Sequence, residues 1–355
     1  MPNNKTASQA QMLANRLQKR FRHLAKWAKR TGAGAFRLYD RDIPEIPLLL
    51  DYYGDIQQPQ AAISGALYKR PYEKDEAEEE RWLLAMKAVI ADVLGIEPCR
   101  IFLKQRQRQR GAAQYEKSGE ERFIVNVTEG GLCFKVNLSD YLDTGLFPDR
   151  RLLRAMVCAE SAGKRVLNLF SYTCSFSVYA AAGGAASTDS VDLSNTYLGW
   201  AKENFSLNNF SAELLRQEEF FLYFHGGPRS AHKLVRTDAL TFLAKAAAAA
   251  LQWDLIILDP PAFSNSKKMI GSFDLRRDHI ELLGRCLDLL APGGKIILSV
   301  NTRQFKIEAA GLETKLASHA NRVRVTDVGN KIIDEDFKGR KTPGTFIIEV
   351  WSFAP

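Results

Sequence analysis

Three aspartates stand where apolar runs end in this 355-residue chain: Asp192 closes "STDSVD", Asp238 follows "LVRT", and Asp259 follows "WDLIIL" and leads into Pro260 and Pro261. An ionised carboxylate only accepts hydrogen bonds, so acids at the carboxyl ends of buried strands suit a ligand rich in hydroxyl and amino donors. Asp192 lies about 20 residues beyond "NLFSYTCSF", the turn after the run "RVLNLF", the distance at which a carboxylate meets ribose hydroxyls of a nucleoside seated on that turn. Asp238 is then placed for an adenine amino group. The turn has no GxGxxG, and a pyrophosphate needs close backbone approach that Tyr172 and Cys174 do not offer. A nucleoside carrying an amino acid, S-adenosylmethionine, fits better than a dinucleotide. Plainer readings exist for each acid: Asp238 ahead of a helical run is a good N-cap, and a Pro-Pro pair stops a strand by lacking N–H donors. Three acids at consecutive strand ends favour one shared ligand. Beyond the prolines, Phe263 is placed either to stack on an extruded base or to pack in the core, with Asn265, Lys267 and Lys268 supplying polar and cationic contacts.

The elements that must position these residues alternate from about residue 151. Strand-like "RVLNLF", "STDSVDLS", "LVRT", "WDLIILD" and "GKIILSV" are separated by helical stretches, which predicts a doubly wound, mainly parallel sheet, closed by "RVRVTDVG" and "TFIIEVWSF". Ahead of it, residues 36–60 are short extended pieces broken by Pro44, Pro47 and Pro59. "YEKDEAEEERWLLAMKAVIADVLG" is a helix with its acids at the N-terminus, and "RFIVNVTEGGLCFKVNL" a hairpin around Gly130 and Gly131. The division that follows is a basic helical segment over 1–35, a small α+β domain over 36–150 and the alternating domain over 151–355. About 15 residues around "RQEEFFLYFHGGPRS" exceed the usual connection length and read as an insertion.

Net charge is +8, yet residues 1–39 hold nine Lys and Arg and no acid, so the remainder is close to neutral. Leu13, Leu17, Phe21, Leu24 and Ala28 form one apolar stripe there, with Arg16, Lys19, Arg22 and Lys26 among the cations of the other faces. A second strip, "KQRQRQR", interleaves Lys104, Arg106, Arg108 and Arg110 with glutamines. Two such strips suit RNA phosphates; a solvated face and, for the helix alone, an anionic membrane surface are the competing readings. No run is apolar over the roughly 18 residues of a membrane span and no signal-peptide segment opens the chain, which predicts a cytoplasmic protein. Five dispersed cysteines without a CxxC pair predict neither a disulfide framework nor a metal site.

"NLSDYLDTGLFPDRR", "VLNLFSYTCSFSVYAA", "SVDLSNTYLGWAKEN" and "LDPPAFSNSKKM", in this order, resemble the bacterial large-subunit rRNA methyltransferases of the class I S-adenosylmethionine-dependent type, in particular the guanine-N7 half of the fused 23S rRNA enzyme. The resemblance implies an α/β, Rossmann-like methyltransferase domain of seven strands, the last antiparallel, behind a small α+β RNA-binding domain and the basic helix. It implies a cofactor site of Thr144, Phe147, Asp149, Arg151, Asn168, Phe170, Ser171, Tyr172, Thr173, Asp192 with Leu193, Asp238 with Ala239, and Asp259. Asp259, Pro260 and Phe263 would face the base. 23S rRNA or its precursor would be the partner, with no metal and no membrane. Two positions depart from the family pattern: Cys174 stands where glycine is usual and Arg150 where histidine is expected. Cytosine-C5 methylation, which needs a cysteine nucleophile, and a non-catalytic RNA-binding or assembly role on the same fold are the alternatives, with a small-molecule methyltransferase a third.

Overall fold

The structure is a computed structural model describing residues 4–55, 60–70, 72, 75–105, 122–141, 143–215, 230–264, 272–300, 307–317, 323–340 and 344–350. These residues form two compact units: Met1–Pro148 with Glu335–Lys338, and Asp149–Asp334 with Gly339–Pro355.

In the first unit, the apolar stripe folds as helix α1 (Asn4–Thr31), which buries Leu13, Leu17, Leu24, Trp27 and Ala28 and packs Phe21 beside them. It lies in one core with strands β1 (Ala35–Asp40), β2 (Leu48–Tyr53) and β3 (Ala62–Leu67), helix α2 (Glu76–Leu94) and strand β4 (Ile101–Gln105). The basic helix is thus part of the α+β body, not a segment of its own, because its stripe supplies one wall of that core. β1, β2 and β3 run antiparallel, and β4 lies parallel to β3 after the α2 crossover. Asp75 caps α2, accepting from the Glu78 N–H at 3.0 Å, and Gly95 ends it at φ 64°, a left-handed turn that costs glycine little. The expected hairpin forms from β5 (Ile124–Glu129) and β6 (Leu132–Asn137), with Gly130 and Gly131 at φ 58° and 82° as a two-residue turn of this hand requires. The short stretch Glu335–Lys338 belongs here too. Asp336 is fully buried and accepts the Arg37 N–H at 2.9 Å, while Glu335 meets His23 at 2.8 Å.

The second unit begins with α3 (Arg151–Glu160) and alternates through β7 (Arg165–Leu169), α4 (Ser175–Ala182), β8 (Ser187–Asp192), α5 (Asn195–Leu207), β9 (Ala212–Leu215), β10 (His232–Arg236), α6 (Ala239–Ala248) and β11 (Trp253–Leu258). A two-residue ladder of β12 (Phe263–Ser264) and β13 (Phe273–Asp274) precedes α7 (Leu275–Leu287), β14 (Leu290–Val300), α8 (Ala309–Leu316), β15 (Val323–Asp327) and β16 (Gly344–Val350). The sheet order is β15-β16-β14-β11-β7-β8-β10-β9, with β16 antiparallel to both its neighbours. β7, β8, β10 and β11 run parallel, so their carboxyl ends share one edge.

Among the described residues this sheet has eight strands, not seven. The additional one, β9, is four residues long with Glu213 exposed, and an edge strand this short shows no apolar run in the sequence. The expected insertion falls at residues 216–229, outside the described residues. One face of the sheet packs on Phe242, Leu243, Leu282, Leu283 and Leu312 of α6, α7 and α8, the other on Leu153, Val157, Phe176 and Ala180 of α3 and α4. Both faces being covered explains why the central strands read as continuous apolar runs.

Candidate active site

After β7 the chain turns with Phe170, Tyr172 and Cys174 at φ 58°, 51° and 62°. Side chains in this left-handed region cost about 1–2 kcal/mol each, so the turn must be held from outside itself. Several contacts do so. Asp192 Oδ2 accepts the Tyr172 N–H at 2.9 Å, and Val191 O accepts that of Ser171 at 3.0 Å. Asn204 Nδ2 donates to Thr173 O at 2.9 Å, while Phe170 and Tyr172 lean on the rings of Phe273 and Tyr197 at 5.5 and 4.5 Å. Beneath the turn, Asn168 Nδ2 and Ser190 Oγ donate to Ser177 Oγ at 2.9 and 2.8 Å. Asn168 is therefore a support under the turn, 1% exposed, and Thr173 is fully buried. Cys174 is buried as well, and burial pushes its thiol up to about 12.

Asp192 uses Oδ1 to accept the Ser194 N–H at 2.8 Å. Burial raises its pKa to about 6, against the opposing pull of the Ser194, Tyr172 and Leu193 N–H groups. Such a carboxylate gains from further donors. At the next strand end, Asp238 is the N-cap of α6, Oδ1 accepting the Thr241 N–H at 2.9 Å ahead of the buried Ala239. The plain reading of Asp238 is thus correct as far as it goes, and the second oxygen is not part of the cap.

Asp259 follows β11 and is gripped by Arg150, whose Nε and Nη2 reach Oδ2 and Oδ1 at 3.4 and 3.3 Å while Nη1 meets Asp149 Oδ2 at 3.0 Å. Arg150 is only 4% exposed, and the two carboxylates beside it hold it cationic against the cost of burial. In the sequence Arg150 stands out only as a departure from the family pattern, since nothing in the linear order joins it to a position 109 residues away. Pro260 is buried, but Phe263 is 56% exposed. Its backbone is fixed by the β12–β13 ladder, which pairs it with Asp274. Core packing is therefore excluded for that ring.

Other residues expected at the site have contacts within the protein or lie in the first unit. Arg151 Nη1 is bound to Asp334 Oδ2 at 2.7 Å. Thr144 and the half-buried Phe147 belong to the first unit, where Thr144 Oγ1 meets the Tyr53 hydroxyl at 2.7 Å. Of the cationic candidates, Lys19, Arg22 and Lys26 are exposed on α1, whereas Arg16 is paired with Asp42 at 2.7 Å. Lys104 is half-buried: its Nζ donates to Tyr141 O, and burial lowers its pKa to about 8. Arg106, Arg108, Arg110, Lys267 and Lys268 lie outside the described residues, as does Asn265.

The second unit's strand-end residues fit S-adenosylmethionine. Ser171 Oγ is buried in the turn and has no partner among the described residues, which leaves a donor for a ligand's polar end. Asp192 and Asp238 offer acceptors one and two strands away. Among the described residues no group of three or more His, Cys, Asp or Glu is placed to hold a metal ion, and no helix is long and apolar enough to cross a membrane.

This fold, with an acceptor at each of these strand ends, defines a class of enzyme, and residues 55–325 match the model of the S-adenosylmethionine-dependent methyltransferase family. The chain belongs to that family, and S-adenosylmethionine is its methyl donor. Among particular relatives, it is 45% identical over 328 residues to ribosomal RNA large subunit methyltransferase K of Neisseria meningitidis, covering 92% of this chain and 84% of that one. It is 42% identical to ribosomal RNA large subunit methyltransferase K/L of Shewanella sp., covering 93% of this chain but only 42% of that longer protein. A solved S-adenosylmethionine-dependent methyltransferase from Streptococcus mutans shares the fold, with a TM-score of 0.69, 23% identity and coverage of 96% of this chain and 81% of that one.

Proposed function

We propose that the chain methylates guanine N7 in large-subunit, 23S ribosomal RNA, in the cytoplasm. The observation that carries this reading is the exposed Phe263 ring directly beyond Asp259 and Pro260, at the edge where the cofactor acceptors converge. An aromatic face in the open, held by a ladder, is a platform for an unstacked base. The names of the relatives, large-subunit rRNA methyltransferases K and K/L, supply the RNA.

S-adenosylmethionine, held by Asp192, Asp238 and Ser171, would supply an electrophilic methyl group carried on a sulfonium. The chain's own residues do the rest. Asp192 accepts from the ribose hydroxyls, Asp238 Oδ2 from the adenine amino group, and Ser171 donates to the amino-acid end. Phe263 stacks on guanine, and Asp259 with the rigid Pro260 backbone borders the reacting pair. Guanine N7 carries a lone pair and no proton, so no general base is required and alignment is the main contribution. The product base is cationic, which the carboxylates of Asp149 and Asp259 tolerate. On α1, Lys19, Arg22 and Lys26 serve phosphates.

The cytosine-C5 route needs a thiolate, and burial pushes the thiols of Cys174 and Cys286 up, away from ionisation. Asp192, Asp238 and Asp259 at three strand ends of one sheet edge count against a non-catalytic role.

The test is mass-spectrometric mapping of 23S rRNA from cells with and without the chain, paired with methyl transfer to unmodified rRNA in vitro. A 7-methylguanosine present only with the chain is expected, and Phe263→Ala should cost turnover the equivalent of about 1–3 kcal/mol of stacking. A 5-methylcytosine in its place, or no change in the map, would refute the assignment.

A further inference from the structure

We propose that Arg150 is a positioning residue for methyl transfer, fixing the Asp259 carboxylate at the carboxyl end of β11 by a two-nitrogen fork. This rests on the methyltransferase reading of the same site. The guanidinium spends three nitrogens on two carboxylates, Nε and Nη2 on Asp259 at 3.4 and 3.3 Å and Nη1 on Asp149 at 3.0 Å. With 4% of Arg150 exposed, water scarcely reaches the guanidinium, so Asp149 and Asp259 are the partners that compensate its burial. The side chain is not needed to build the helix behind it: Arg150 stands at the N-cap of α3 and makes no side-chain cap bond. The backbone there is already set by the 3-10 turn Pro148–Arg150.

The consequence is at Asp259. Pro260 fixes the backbone after it, and Arg150 fixes the carboxylate, so both ends of the residue four positions before the base platform are held before substrate arrives. Without the cation, the carboxylates of Asp149 and Asp259 are left sharing a partly buried site without the charge between them, and they repel. Asp259 would then turn toward solvent. A lysine keeps the charge but, as a point donor, cannot reproduce the planar fork. Arg150 therefore acts through Asp259 and not by touching the base.

The experiment uses the full chain, radiolabelled S-adenosylmethionine and unmodified large-subunit rRNA, with Arg150→Gln, Arg150→Lys, Asp259→Asn and the double variant Arg150→Gln/Asp259→Asn. Arg150→Gln should lower kcat by roughly 10²-fold, the scale of a misplaced group, with the Kd for cofactor and the KM for RNA nearly unchanged. Arg150→Lys should recover part of the rate. The double variant should be no slower than Asp259→Asn alone, because a residue that acts through another adds nothing once that other is gone. Guanidinium ion should partly restore an Arg150→Ala variant; this arm, with Arg150→Lys, decides the matter if Arg150→Gln does not fold. Undiminished kcat in Arg150→Gln overturns the inference, as do multiplying losses of rate in the double variant, cofactor affinity falling in step with rate, or, where Arg150→Gln fails to fold, no rescue by lysine or guanidinium. A wild-type chain that transfers no methyl to RNA overturns this inference and the proposed function together, whereas an active wild type with any of the former results overturns this one alone.

Discussion

Asp192 is where a single side chain can be read through pH. Its pKa is raised to about 6 by burial, so the unliganded protein holds it protonated only below about pH 6: the stability it contributes is present below the unfolded value near 3.8 and is lost as pH rises through about 6. Cofactor binding has the opposite sign, because ribose hydroxyls donate to the ionised form. Affinity for S-adenosylmethionine should therefore improve as pH rises through about 6, by roughly fourfold between pH 5.5 and 7.5 if this group alone titrates. Titration calorimetry at the two pH values measures it, and a flat profile would remove Asp192 from the cofactor site. Asp192→Ala should weaken binding by a few kcal/mol at neutral pH, since hydrogen bonds to a charged acceptor are worth about 1.5–3 each.

At the scale of elements, α3 and α4 approach each other closely on the sheet face they cover. Gly183, the C-cap of α4, faces the Cys158 carbonyl of α3, and a Cβ there would lie 2.0 Å from that oxygen. Its φ of −77° is ordinary, so the requirement is space and not backbone freedom. Gly183→Ala should destabilise the protein by about 1–3 kcal/mol, as overpacking does, and an unchanged thermal midpoint would show that the helices have room. Helix α1 poses a different question. Arg16 is taken up by Asp42, so the RNA-facing charge rests on Lys19, Arg22 and Lys26. Neutralising those three should reduce the salt slope of RNA binding by about 0.9 for each phosphate that no longer meets a cation, while cofactor affinity stays constant. A salt slope equal to the wild type's would make the helix a solvated wall of its core and nothing more.

For the whole molecule, the chain does not divide at one point. After β15 it returns residues Glu335–Lys338 to the first unit, and Asp336, fully buried, receives the Arg37 N–H at 2.9 Å while the Arg37 guanidinium lies 5.2 Å over Phe337. Asp336→Ala removes the acceptor of the Arg37 N–H and should cost about 1–3 kcal/mol of local stability. Hydrogen exchange at the Arg37 amide reads this directly: faster exchange is expected, and protection equal to the wild type's would mean that the returning segment contributes little to the first unit.

The helix stripe, the acidic N-terminus of α2, the Gly130–Gly131 hairpin, the parallel alternation and the three strand-end acids were all legible in the sequence. Each of these is a local or periodic signal, carried by residues a few positions apart, and the strand ends follow from where apolar runs stop. Tertiary structure alone decided the rest, because it depends on pairs far apart in the chain. Lys104 has the sequence setting of a phosphate ligand, yet its ammonium is received by the carbonyl of Tyr141, and Arg16 is likewise taken by Asp42. Asn168 is bound to the buried hydroxyl of Ser177, Thr144 to Tyr53 and Arg151 to Asp334, pairings that the linear order of the motifs does not announce. Phe263 was balanced between core and surface in the sequence, since a lone aromatic has no period; its 56% exposure came from the short ladder with Asp274. The fork between Arg150 and Asp259 had no linear signal at all, because side-chain geometry across a folded sheet is set by packing and not by order along the chain.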